Sequence, residues 1–468
     1  MMERIEWEDV QRIVLSGYPC LPYSAYMLWQ FRAGGDTLKK EWLADLSKRL
    51  TAAIPGDPSS IQQPAINLAL TVSGLKRLGI GEPELNSFSL EFLEGMAPKR
   101  TPETPIPRRT NILGDLGASS PECWDWGGWK EKREIDGLLL LFAADEKSLQ
   151  KLIKIESTAI FGIVDGNPIV LKGRLYPDMK EHFGYVDGLS QPKIEGRPKR
   201  EENKHLDRND TFEIRPGSEV KPGEFLLGYL NERRARVSNG HGPDLRRNGT
   251  YLVFRQLEQD VPAFNMFLSN LAGRIGEDEE WVAARLLGRR RDGEPLAAFG
   301  SQAPDSTRPG ANAAKSKNRF LYYYEDRSGL TCPIGAHIRR ANPRDSLPPD
   351  PETALRLSKM HRIIRRGRPY GERLDPQKPG GERGMLFIAL NADIAGQFEM
   401  IQHSWLNNPH FDGLYTGTDP ISHFSDGSIT IQNRPVNLQV SRPAPFVRVR
   451  GGAYFFLPGM QALRSMAA

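Results

Sequence analysis

Apolar residues in this chain fall into short runs, separated by amphipathic stretches and long polar loops. Tyr26-Met27-Leu28-Trp29-Gln30-Phe31 reads as a strand, and Leu138 to Ala143 is a continuous apolar run suited to a strand buried on both faces. A helix should follow at once, because Leu149, Leu152 and Ile153 sit at i, i+3 and i+4 behind a capping residue, Asp145. In the second half, Tyr251 to Phe254, Met385 to Leu390 and Ala453 to Leu457 have strand character. Trp281, Ala284, Arg285 and Leu287 lie on an expected helix. Strands and helices thus interleave in both halves. Neither a GxGxxG fingerprint nor a P-loop accompanies them, which favours an α+β fold over a doubly wound nucleotide fold.

Four stretches rich in Pro, Gly or charge interrupt the pattern: Ala97 to Arg133, Lys193 to Gly223, Arg289 to Asn318 and Arg340 to Arg383. Loops this long are usually functional or disordered. One hydrophobic core rarely outgrows roughly 250–300 residues. A chain of 468 residues is therefore expected to form two domains, 1–222 and 223–468, divided at the second of these stretches.

The net charge of +5 is small for this length, and the basic residues are scattered, which argues against a nucleic-acid partner. Three distant cysteines (Cys20, Cys123 and Cys332) form neither a disulfide framework nor a zinc spacing. No run approaches the roughly 18 apolar residues of a membrane helix. The acidic N-terminus lacks a signal-peptide core, so a cytoplasmic, reducing compartment is expected, with export on a partner or loss of a leader left open.

Three segments carry candidate chemistry. In Gly184-Tyr185-Val186-Asp187-Gly188-Leu189-Ser190-Gln191-Pro192, two glycines bracket an aspartate that could shuttle protons. An ordinary Asp-Gly turn is the commoner meaning of such spacing. Gly162-Ile163-Val164-Asp165-Gly166 has the same skeleton. His337, in Thr331-Cys332-Pro333-Ile334-Gly335-Ala336-His337-Ile338-Arg339-Arg340-Ala341-Asn342-Pro343-Arg344, is not paired at HExxH or HxH spacing. A lone histidine is more often structural, yet one axial imidazole is all that a haem iron needs from a protein. Arg365-Arg366-Gly367 is either a solvated basic loop or a guanidinium set against developing oxyanion charge.

Together these segments resemble the dye-decolorizing (DyP-type) haem peroxidase family. The Asp187 loop is similar to its GxxDG signature with a Ser-Gln-Pro continuation, which the Asp165 copy lacks. The His337 segment resembles the proximal-histidine motif, and Arg365 the first arginine of an Arg-Arg-Gly motif. Further similar segments are Asn67 to Gly79, Gly223 to Tyr229, Gly249 to Arg255, Gly384 to Phe387 and Gly451 to Pro458, so the likeness runs from about residue 8 to 463. The stretches after Ala97 and in Lys193 to Gly223 have no counterpart in it.

The resemblance implies two ferredoxin-like domains, each an antiparallel sheet with helices, and one haem b per chain in the C-terminal half. It implies His337 as axial ligand, Asp187 as distal acid/base and Arg365 as the group that stabilises leaving hydroxide. Hydrogen peroxide and an organic electron donor would be the partners; the oligomeric state is not implied. Met385 and Phe387 resemble residues that narrow the distal pocket, with ordinary core as the alternative. Tyr370 and Trp405 match positions of proposed surface electron transfer, and Arg339 and Arg344 are candidates to pair with haem propionates. Asp393 is the candidate partner for the second ring nitrogen of His337, or else a helix cap. A carboxylate titrates near about 3.9 and a histidine near about 6.5 when unperturbed, so this chemistry implies an acidic pH optimum. A haem carrier with little turnover is the rival reading. It would need the histidine but no distal acid–base pair. Other haem chemistry on a related scaffold, or a haem-free regulatory protein, are further alternatives.

Overall fold

The computed structural model describes residues 4–54, 63–130, 133–198, 219–236, 244–299, 317–318, 320–377, 380–422, 427–442 and 444–468. Much of the loops expected at Lys193 to Gly223 and Arg289 to Asn318 lies outside them.

The first half runs β1 (Tyr23–Trp29), a helix (Asp36–Arg49), β2 (Ala65–Leu70), β3 (Gly137–Ala143), a helix (Glu146–Ile160) and β4 (Ile169–Arg174). Its strand order is β4-β1-β3-β2. The second half runs β5 (Thr250–Gln259), helices Val261–Ile275 and Glu279–Leu287, short strands β6 (Ile364–Arg365) and β7 (Arg368–Tyr370), then β8 (Gly384–Asn391). Wide helical turns at Ala395–Glu399 and Ile401–Leu406 follow, then a separate hairpin of β9 (Gly427–Ile431) and β10 (Leu438–Arg442), and finally β11 (Val447–Leu457). The order β11-β5-β8-β6, with β7 also on β8, repeats that of the first half. Each half is therefore a ferredoxin-like β-α-β-β-α-β unit. The two join edge to edge where Phe456 of β11 faces Leu70 of β2.

Side chains alternate across a strand, and this divides the core in two. Tyr26, Leu28, Leu138, Leu140, Phe142, Leu252, Phe254, Ile388 and Leu390 fill one face. Met27, Trp29, Leu139, Leu141, Val253 and Ala389 pack beneath the helices on the other. Gly137 has a specific reason: a Cβ there would lie 2.1 Å from the indole of Trp29, its cross-strand partner. The sheet curls until β7 meets β4, and a Cβ on Gly173 would stand 3.1 Å from the Pro369 carbonyl. Inside the curl the buried Arg368 guanidinium lies 4.7 Å over the Phe142 ring. It donates to the carbonyls of Leu21 (2.6 Å), Gly17 (3.0 Å) and Tyr18 (3.0 Å), which fastens the N-terminal segment.

The stretch Arg340 to Arg383 is not the plain loop its Pro and Arg content suggests. It holds a helix, Pro351–Met360, capped by Asp350 accepting from Thr353 N at 2.9 Å, and the two short strands β6 and β7. Proline at the first helical turn is compatible with a helix, and two- or three-residue strands are too short to show a period.

Glu224 ties the start of the second half to the wide helical turns: its carbonyl accepts from Ala392 N and Gln397 Nε2, both at 2.9 Å. Its side chain is 2% exposed, and burial raises its carboxyl from the ordinary 4.5 to about 7. Between those values the folded chain holds a proton that the unfolded chain has released, so stability falls as pH rises through this window. Glu224→Gln keeps the acceptor that receives Glu232 N (2.9 Å) and removes the charge. It should stabilise the protein by about 3 kcal/mol at pH 8 and hardly at all at pH 4.5, which denaturant titrations at the two pH values will measure.

Candidate functional site

One part of the candidate site is built from the loop before His337. Asp326 accepts from Thr331 N (3.1 Å) and Cys332 N (2.6 Å), holding the loop open until the short helix His337–Ala341 begins. Arg340, fully buried, donates to the carbonyls of Trp405 (2.7 Å), Asn408 (2.9 Å), Gly335 (3.2 Å) and Gly417. One guanidinium thus locks this helix to the wide helical turns and to the strand of chain that leads into Asp419.

Asp419 is the partner of His337: Nδ1 lies 3.0 Å from Oδ2 and 3.2 Å from Oδ1. The carboxylate is buried, and Oδ1 also accepts from Ile421 N (3.0 Å), Ser422 N (2.6 Å) and Ser422 Oγ (2.9 Å). Burial alone would push its carboxyl up. His337, the Ser422 amide and the Arg340 charge outweigh that and hold it well below the usual carboxylate range. An anionic Asp419 makes Nδ1 the donor, which leaves the lone pair of His337 on Nε2.

This corrects the assignment of Asp393. That residue accepts from Gly396 N at 2.8 Å and caps the wide helical turns, with Arg233 3.8 Å away. Asp419 lies 82 residues from His337 in sequence, and nothing in Gly417-Thr418-Asp419-Pro420 beyond a turn marks it. Arg339 is likewise corrected. It is 1% exposed, donates to the carbonyls of Asp326 (2.9 Å) and Cys332 (3.0 Å), and lies over the Tyr322 ring. It braces the loop through these carbonyls, and its Nη2 donates to Arg327 O at 3.3 Å.

The Asp187 loop brings together residues from the two halves. The Asp187 loop turns at Gly184 (φ 92°) and Gly188 (φ 81°), values that a Cβ disfavours. Asp187 N donates to Met179 O at 2.9 Å, and the Tyr185 hydroxyl donates to Ala283 O at 2.8 Å. Beyond Asp187, each residue of the Leu-Ser-Gln continuation is tied to the second half. Arg365 Nη2 donates to Leu189 O (2.6 Å), and Arg362 Nη2 to Ser190 O (2.9 Å). Gln191 Oε1 accepts from Arg365 N (3.1 Å), and Gln191 Nε2 donates back to Arg365 O (3.2 Å). This strap is what distinguishes Asp187 from Asp165, which sits exposed in a turn.

Positive charge accumulates there. Arg289 is pushed down to about 10, chiefly by burial and then by the charges of Arg344 and Arg365. Arg344 is 2% exposed, donates to Asn318 O and Phe320 O at 3.0 Å, and reaches Ser190 Oγ at 3.4 Å. Met385 and Phe387 share the face of β8 opposite Leu386 and Ile388. They are half-buried where their neighbours are fully buried, and the Phe387 ring is 6.2 Å from that of Phe398.

The wide helical turns brace both sides. Glu399 N donates to Ile394 O (2.9 Å) and Asn407 N to Gln402 O (3.0 Å), the i→i−5 pattern of a π-helix, which is rare and frequent at functional sites. Gln397 Nε2 holds Arg362 O (2.6 Å) near one end, and Trp405 O receives Arg340 near the other. Trp405 (5% exposed) and Tyr370 (9%) are buried, so neither presents a ring at the surface, contrary to the surface electron-transfer expectation. Trp405 packs edge-on to His361 at 5.2 Å. Among the described residues no helix is long and apolar enough to cross a membrane.

No family model matches the chain. It is 30% identical over 433 residues to the multifunctional dye peroxidase DyP2 of Amycolatopsis sp., covering 87% of this chain and 83% of that protein. It is 30% identical over 451 residues to a dye-decolorizing peroxidase of Mycena epipterygia, covering 86% and 76%. Among solved structures, a DyP-type peroxidase of Anabaena sp. superposes with a TM-score of 0.79 at 24% identity, covering 98% of this chain and 94% of the other. A decolorizing peroxidase of Auricularia auricula-judae gives 0.79 at 24%, covering 99% and 100%. These two share the fold; the sequence relatives, matched across most of their length, place the chain in the DyP-type peroxidase family.

Proposed function

We propose that the chain is a haem peroxidase that holds one haem b through His337 and reduces hydrogen peroxide at the expense of dyes, phenols or similar one-electron donors. The observations that carry this reading are His337 fixed by the buried Asp419 and the Asp187 loop strapped to Arg365 through Leu189 and Gln191. The residues fit a haem. Nε2 of His337 keeps its lone pair, the charges of Arg344 and Arg365 suit the carboxylates of the porphyrin edge, and Met385 and Phe387 offer an apolar wall. When bound, the haem supplies the iron at which peroxide is reduced and the conjugated ring from which donors are oxidised.

The chain's own residues do the rest. Asp419 keeps Nδ1–H engaged and makes the imidazole a more basic ligand. The carboxylate of Asp187 accepts a proton from one peroxide oxygen and returns it to the other. The Arg365 N–H groups not engaged by Leu189 face the negative charge that develops as the O–O bond breaks. Met385 and Phe387 restrict that side to a small oxidant. Bulky donors must then deliver electrons from outside, with Tyr370 and Trp405 as internal relays.

Arg365→Leu tests the distal assignment. Losing one such electrostatic group typically costs about 10²–10³-fold, so kcat/KM for peroxide should fall by that factor with the haem absorption spectrum unchanged. A fall of less than about five-fold would remove Arg365 from this role.

A further inference from the structure

Behind the His337 loop lies a half-open pocket of about 440 Å³, bounded by the β9–β10 hairpin and the chain around Leu414. That volume is within the range of small-ligand sites. Its floor is aliphatic, with Ile334 and Leu414, and its walls are polar, with Gln432, Arg434, Asn437 and Gln439. No carboxylate lines it among the described residues, and Arg434 is its single charge. Tyr415 stands at the edge, 83% exposed, an aromatic ring offered to solvent beside a polar cavity.

Gln432 is the built part of the site. It is 8% exposed, and its Oε1 is fixed by Ile334 N at 2.9 Å. Among the described residues the amide nitrogen has no hydrogen-bond partner, so its two protons are available to an occupant. Asn437 Oδ1 accepts from Asn433 N at 3.3 Å, again leaving an amide nitrogen as donor. Planar amides and a guanidinium together with one open aromatic face form the lining that a polyhydroxylated ring requires. Its hydroxyls both donate and accept, and its C–H face covers an aromatic ring. A phenol offers one or two polar atoms on a flat apolar body and would leave most of these groups unsatisfied, at a cost.

We propose that this cavity is a saccharide-binding site that takes a neutral pyranose unit, stacked on Tyr415 and hydrogen-bonded by Gln432, Arg434 and Asn437. It is independent of the haem reading, since neither Tyr415 nor Asn437 has a place in the proximal or distal machinery. Saturation-transfer NMR on the haem-loaded enzyme, with cellotetraose and maltotetraose as probes and guaiacol as competitor, tests it. Transfer to the sugar-ring protons of at least one tetrasaccharide is expected. Tyr415→Ala should weaken that binding about five-fold, the scale of one lost ring contact, and Asn437→Ala should also weaken it. Both variants should keep the melting temperature and peroxide turnover of the parent. The proposal is overturned by absence of transfer to both sugars, by transfer that Tyr415→Ala leaves unchanged, or by displacement of the sugar by guaiacol.

Discussion

Asp187→Asn should lower the rate at which the haem-loaded enzyme consumes peroxide by about 10²–10⁴-fold, the usual contribution of a positioned acid–base group. The substitution keeps the size of the side chain, and the contacts that hold the loop are made elsewhere: Met179 takes the Asp187 amide, and Leu189, Ser190 and Gln191 hold the second half. Fold, haem content and donor affinity should therefore survive, and the loss should fall on the peroxide step in stopped-flow traces. A second signature separates proton transfer from mere packing. A carboxylate stays ionised in acid where an imidazole is already charged, so the parent should work best in acid. The asparagine variant should lose that acid advantage together with its rate. Parent turnover that climbs steadily from pH 4 to 8, or a variant with an unaltered profile, would remove the proton-shuttle role.

His337→Gly should bring peroxide turnover to background, because Asp419 would then face a gap where its imidazole stood. The short helix does not depend on this side chain: Arg340 and its carbonyl partners hold it. Added imidazole can occupy the vacated space, donate to Asp419 and offer its other nitrogen to the iron. Recovery of turnover in millimolar imidazole, with none from similar concentrations of a non-ligating base, is the expected result. Full activity of His337→Gly without imidazole would mean that another residue holds the iron.

The strap between the Asp187 loop and Arg365 joins segments that the sequence marks locally. Asp187 and the Leu-Ser-Gln run that anchors it are contiguous, and Arg365 sits in a short basic motif. The partner of His337 was not legible, because Asp419 meets it only through the tertiary fold. Asp393 was the wrong choice for a simple physical reason. An aspartate at a helix start and an aspartate beside an imidazole look alike in sequence, and only the structure shows Gly396 N at the carboxylate. Arg339 illustrates the same limit: an arginine at a cofactor motif reads as an anion partner, yet it gives its Nη1 to the buried carbonyls of Asp326 and Cys332. The apolar runs of β3, β5 and β8 were readable. The helix Asp36–Arg49, whose apolar residues are few, and the short strands β6 and β7 were not. The repeated strand order, with its seam between β2 and β11, follows from pairings distant in sequence that no local pattern encodes.

The iron–imidazole bond can be observed directly by resonance Raman spectroscopy of the reduced, haem-loaded enzyme. The parent should show an iron–imidazole stretching band. It should move to lower frequency in Asp419→Asn, where a neutral acceptor leaves the ring less anionic, and vanish in His337→Gly without added imidazole. A band that stays unmoved in Asp419→Asn, or persists in His337→Gly, would contradict the assignment of His337 as the ligand and Asp419 as the group that tunes it.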